Sequence, residues 1–145
     1  MEDLNPDSRQ SIYFSVSYAV VTEWLSDKKK QLNFLKALLE SQLDFSDIKS
    51  EAHSFTLLRK EQSSLQVRVA SLGPQVSNIL VKSDGPAYNL DLFAKEADAV
   101  YGAYRETYLK GECQVLQCDA IIRHLYSCSN HAFKYLWETR LGQKP

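Results

Sequence analysis

Residues 11–21 alternate between larger apolar side chains and small or polar ones, and this pattern constrains the fold more than any other. One set of alternate positions holds Ile12, Phe14, Val16, Tyr18 and Val20. The other set holds Ser11, Tyr13, Ser15, Ser17 and Ala19. Because successive side chains of a strand point to opposite faces, this segment is predicted to be a strand with one apolar and one lightly polar face. We therefore look first to the polar face for a binding surface.

Length and composition favour a single folded domain. The chain has 145 residues, and 44% of them are hydrophobic, which is enough for a real core. Residues 1–10 are polar and include Asn5 and Pro6, so we expect a flexible tail there. We expect residues 11–145 to form one domain.

Apolar residues at helical spacing predict three helices, at about residues 24–42, 90–110 and 130–141. Asn89 is a suitable N-cap for the second helix, and Gly111 a suitable residue just beyond its end. Four further strands are predicted at residues 53–60, 65–72, 76–83 and 112–126. Residues 44–51 are mostly polar and are predicted to be a connection.

The predicted order β-α-β-β-β-α-β-α is typical of an α+β protein with a mostly antiparallel sheet and helices packed on one side. Gly73-Pro74 leaves two alternatives. It is either a turn between two strands or a kink in one long strand, because proline cannot donate a ladder hydrogen bond. A kink would leave a ferredoxin-like β-α-β-β-α-β core with an added C-terminal helix.

Charge and hydropathy argue against several partners. The net charge is −1 with mixed signs, whereas nucleic-acid binders usually show a basic excess, so we expect no nucleic-acid partner. No run approaches 18 apolar residues, so we expect no membrane span, and the N-terminus lacks the apolar core of a signal peptide. The expected location is therefore the cytoplasm. The three cysteines are an odd number, and we expect no disulfide framework in that reducing compartment.

Cysteines and histidines near the C-terminus are the side chains most suited to metal or thiol chemistry. They are Cys113, Cys118, His124, Cys128 and His131. In a continuous strand Cys118 and His124 lie roughly 20 Å apart, so only the corner of His124, Cys128 and His131 could converge. There Cys128 is also a candidate nucleophile with His131 as its base. No carboxylate is nearby to orient an imidazole, so we expect no metal and no cofactor.

Two further groups of residues are candidates for ligand or interface contacts. Tyr101, Tyr104 and Tyr108 belong to the apolar stripe of the second helix, and tyrosine favours pocket walls and interfaces as well as cores. Tyr13, Ser15, Ser17 and Arg68 lie on the polar strand faces. The predicted core contains Phe14, Val16, Leu35, Leu38, Phe93, Val100, Ile122 and Trp137.

These observations favour a small non-enzymatic module that works by protein association, as a homo-oligomer or as a subunit of a larger complex. The chain has neither a glycine-rich nucleotide loop nor a G-x-S-x-G nucleophile elbow. A first alternative is a small-molecule-binding protein or enzyme whose cleft lies between the polar sheet face and a helix. A second alternative is a thiol or zinc enzyme at the corner of His124, Cys128 and His131.

Overall fold

A computed structural model of the protein describes residues 9–22, 28–60, 64–84, 89–109 and 114–126. Their elements are β1 (Gln10–Val21), α1 (Lys28–Glu40), β2 (Asp47–Ser50), β3 (Ser54–Arg59), β4 (Leu65–Gly73), β5 (Val76–Ser83), α2 (Leu90–Tyr108) and β6 (Val115–Leu125). This confirms the predicted α+β class. The predicted helix at residues 130–141 lies outside the described residues, as do residues 1–8 of the predicted tail. Within the described ranges, neither helix is both long and apolar enough to cross a membrane.

The six strands form one antiparallel sheet in the order β2-β3-β4-β5-β1-β6. β4 and β5 pair directly, with Gly73 opposite Val76 after a register shift. Gly73-Pro74 is therefore part of a hairpin turn, and the alternative of one kinked strand is wrong. Along the chain, four strands separate α1 from α2. Three were predicted, and a strict ferredoxin-like core has two.

The additional strand is β2, in a segment predicted to be a connection. It has only four residues and pairs with β3 alone, so it forms one edge of the sheet. Its one large apolar side chain, Ile48, is 53% exposed. Such a short edge strand carries almost no apolar alternation, because neither of its faces is deeply buried.

Both helices cover the same side of the sheet, called the inner face below; the opposite side is the outer face. The register places the large apolar residues of β1 beside buried residues of β5: Phe14 pairs with Ser83, Val16 with Val81, Tyr18 with Ile79 and Val20 with Ser77. Phe14 stacks on Phe93 of α2, with ring centroids 5.4 Å apart. The alternation of residues 11–21 thus predicted correctly which side of β1 faces the core.

In α1 the predicted core residues Leu35 and Leu38 both lie against the core, and Phe34, which was not predicted, is buried there as well. Phe34 and Leu38 are buried, Leu35 is half-buried, and Leu32 and Leu39 are 66% and 57% exposed. Phe34 packs edge-on against the rings of Phe55 and Tyr104. The predicted core omitted Phe34, because several positions around this helix are apolar and only the packing partner selects among them.

α2 follows its prediction closely. The Asn89 side-chain oxygen accepts a hydrogen bond from the Leu92 N–H at 2.7 Å, as an N-cap does, and the helix ends at Tyr108. Gly111 lies outside the described residues. The Arg59 guanidinium of β3 donates to both carboxylate oxygens of Glu96 at 2.8 and 3.2 Å, in a partly buried pair. This two-pronged ion pair anchors α2 to the sheet.

Candidate interaction surface

β6 forms the other edge of the sheet and is exposed along its whole length. It has eleven residues, pairs with β1 on one side, and pairs with no strand on its other side within the described part of the chain. Its exposed large apolar side chains are Val115, Leu116, Ile121, Ile122 and Leu125, followed by Tyr126 just beyond the strand. A long edge strand of this kind presents backbone N–H and C=O groups that can pair with another strand.

The register with β1 shows which residues of β6 lie on each face. Ala120 and Ile122 pair with Val16 and Phe14 and continue the inner face. Ile121 pairs with Ser15 and continues the outer face. Ile122 was predicted to belong to the core, but it is 45% exposed, so that prediction is wrong. A cavity of about 260 Å³ lies between α2 and Ile122, so this helix does not bury the side chain.

Polar side chains on the outer face of β6 carry both signs of charge. The Arg123 guanidinium stacks over the Tyr13 ring of β1, 4.6 Å from the ring centroid. The Gln117 side-chain amide donates to the Asp119 carboxylate at 2.7 Å. Asp119 and Arg123 flank Ile121 on one face, about 13 Å apart along an extended strand. Neither forms a salt bridge within the described part of the chain.

The other predicted polar residues also lie on the outer face. Ser17 of β1 and Arg68 of β4 are both opposite Leu80 of β5, so one transverse row joins them. Arg68 is exposed, Ser17 is half-buried and Ser15 is buried. Over the described ranges, both helices pack on the inner face, so no described helix closes a cleft over this polar surface.

The predicted tyrosines of α2 lie on the other side of the sheet. Tyr104 is fully buried and its hydroxyl is hydrogen-bonded to Ser77, while Tyr108 is buried beside it. Tyr101 is half-buried and packs against Tyr18 of β1, with the two ring centroids 4.4 Å apart. The sheet therefore separates the α2 tyrosines from Tyr13, and the structure does not bring the two predicted groups together.

Tyr18 of β1 lies between Tyr101 of α2, which it packs against, and Cys118 of β6, with which it pairs. Burial raises the pKa of the Tyr18 phenol, and the neighbouring Cys118 and Tyr101 raise it further. Cys118 pairs with Tyr18 in the register and is itself exposed.

The predicted thiol or zinc corner is only partly described. The His124 ring Nδ1 is hydrogen-bonded to the Ser11 hydroxyl at 2.9 Å. Cys128 and His131 lie outside the described residues, as does Cys113, so that corner stays a prediction. Elsewhere, in the ranges that the structure does describe, no three histidine, cysteine, aspartate or glutamate side chains converge.

A pocket of about 390 Å³ lies between α1 and the β2–β3 end of the sheet. Leu35, Phe55 and Val69 contribute apolar walls, and Lys28 and His53 contribute polar ones. The sequence prediction had a cleft on the outer face, whereas this pocket opens on the inner face. It was missed because β2, which forms one wall, was not predicted; the isolated apolar Ile48 was the only signal.

No family model matches the chain, and no curated protein is detectably similar to it in sequence.

Proposed function

We propose that the protein is a non-enzymatic association module that binds a partner by adding a strand to the outward edge of β6. The observation that carries the proposal is the long, exposed edge strand with apolar side chains on both faces. In strand addition, main-chain hydrogen bonds supply affinity, and alternate side chains supply specificity. Such an edge is also a hazard for aggregation, and a partner strand would cover the side with which no described strand pairs.

The side chains next to this edge suit a protein partner better than a nucleic acid. Ile121 and Ile122 offer apolar area on opposite faces, with Asp119 and Arg123 beside them. Interfaces combine such an apolar centre with charged residues at the rim. The proposed location is the cytoplasm, a reducing compartment that suits a chain with an odd number of cysteines, three.

A photo-crosslinking experiment in the cells that express the protein tests the proposal. A photoreactive phenylalanine analogue replaces Ile121 in one variant and Lys49, an exposed residue of β2, in a matched control. We expect position 121 to crosslink to a polypeptide, either a second copy or another protein, and position 49 to remain uncrosslinked. Absence of any crosslink from position 121, with the variant folded and expressed, would contradict the proposal.

The pocket under α1 supports a second candidate, binding of a mostly apolar small molecule. Its volume of about 390 Å³ is within the range of ligand sites, and its apolar walls with a few polar groups have the usual composition. Titration with the fluorescent probe anilinonaphthalene sulfonate tests it. Leu35→Trp, which fills the pocket, should abolish binding, whereas the exposed control Leu39→Trp should not. Equal binding by both variants would count against this candidate.

A further inference from the structure

We infer that the strand added to β6 is β6 of a second copy, paired antiparallel so that Asp119 of each chain lies opposite Arg123 of the other. This inference rests on the proposed function, in which the edge of β6 accepts a strand. The resulting two-fold dimer would join two six-stranded sheets into one continuous sheet. Its interface would be isologous, so every contact away from the two-fold axis occurs twice.

Charge complementarity determines the register. Residues directly opposite in an antiparallel pair have Cβ atoms about 4.5–5.5 Å apart, and opposite charges there are stabilising. Centring the two-fold axis on Ile121 places residue 119 opposite residue 123, which creates two Asp–Arg pairs. Arg123 can form this contact while stacked on Tyr13, because a guanidinium stacks through its plane and donates through its edge.

Neighbouring registers lose these pairs. Centring on Ala120 places Asp119 opposite Ile121, and centring on Ile122 places Arg123 opposite Ile121. Centring on Asp119 places two aspartates against each other, and like charges directly opposite are destabilising. Of these four registers, only the one centred on Ile121 places opposite charges opposite each other.

The apolar residues fit the same register. Ile121 meets its own copy on the outer face, and Ala120 lies opposite Ile122 twice on the inner face. The large Ile122 of each chain therefore faces the small Ala120 of the other, which permits close packing. Ile121 and Ile122, 44% and 45% exposed in one chain, would be covered by this pairing.

Charge reversal in the full chain tests the partner and the register together. Asp119→Arg and Arg123→Asp should each weaken dimerisation at least about tenfold, since each places like charges opposite at two positions. An equimolar mixture of the two variants should recover a heterodimer, because both contacts then join opposite charges. Arg68→Asp, which reverses a charge on the same face away from the edge, is the control. Sedimentation velocity gives the dissociation constants, and circular dichroism confirms that each variant is folded.

The outcomes separate this inference from the proposed function. Wild-type protein that stays monomeric up to about 1 mM overturns the inference, and so does a dimer that neither reversal weakens or that the mixture fails to restore. A crosslink from position 121 to a different polypeptide would still support strand addition while excluding the second copy. Absence of any crosslink would reject both.

Discussion

The two edges of the sheet differ in length and in chemistry. β2 has four residues and carries Asp47 and Lys49, and Asp47 forms an exposed ion pair with Lys60 at 2.8 Å. β6 has eleven residues and exposes apolar side chains on both faces. Short edge strands with charged side chains resist pairing with other chains. The contrast indicates that β2 ends the sheet, whereas β6 is suited to continue it.

The largest expected effect comes from the strand beside the protected edge. Leu57 of β3 is fully buried, so Leu57→Ala should lower the free energy of unfolding by about 2–5 kcal/mol. Ile122→Ala on β6 should lower the monomer's free energy of unfolding by less, because much of this side chain is already exposed. Urea denaturation at a protein concentration that keeps the chain monomeric measures both. Equal losses would mean that Ile122 is buried in the monomer, and would contradict the proposed difference between the two edges of the sheet.

A charged residue placed at each edge should affect association at only one of them. Ile121→Lys should weaken self-association by about tenfold to a hundredfold, because two lysines would lie opposite each other at the centre of the pair. Ile48→Lys on β2, the matched change, should leave the dissociation constant unchanged. Sedimentation velocity compares the two variants, and a similar effect of both would show that β6 has no special role.

The two ion pairs near the β2 end should differ in their effect on stability. Glu96→Gln removes a partly buried partner of Arg59 and should cost about 1.5–3 kcal/mol. Asp47→Asn removes the exposed pair with Lys60 and should leave the urea midpoint unchanged, since exposed pairs contribute little. Lys60 lowers the pKa of the Asp47 carboxyl through a hydrogen bond and its charge. A large loss for Asp47→Asn would show that the charges of β2 stabilise the fold instead of only protecting its edge.

The smallest expected effect is a pH dependence at the junction of β1 and β6. Because burial raises the pKa of Tyr18 in the folded state, folded protein holds this proton when unfolded protein has released it. The stabilising contribution is therefore complete below the ordinary pKa of 10.0 and is lost as the pH rises through the folded value. Wild type should lose more stability than Tyr18→Phe between about pH 9 and 11 in chemical denaturation. Parallel curves would contradict this assignment.

Local patterns in the sequence were sufficient for much of the fold. The alternation in β1 predicted its two faces, and Asn89 predicted the start of α2. A turn at Gly73-Pro74 was one of two predicted alternatives, and the pairing of β4 with β5 shows that it is the correct one. These features succeed because they depend on backbone geometry within a few residues. The outer-face positions of Tyr13 and Ser17 follow from the same alternation.

Side-chain spacing along the chain was enough to assign most of the described strands and helices and the apolar side of β1. Packing between distant segments places β1 between β5 and β6, brings Phe34 into the core, and leaves β2 and β6 at the edges of the sheet. Spacing could not predict these neighbours, because strand pairing uses backbone hydrogen bonds, which every residue except proline can donate. Side-chain spacing thus predicts that a strand exists, whereas its neighbours depend on how distant segments pack together.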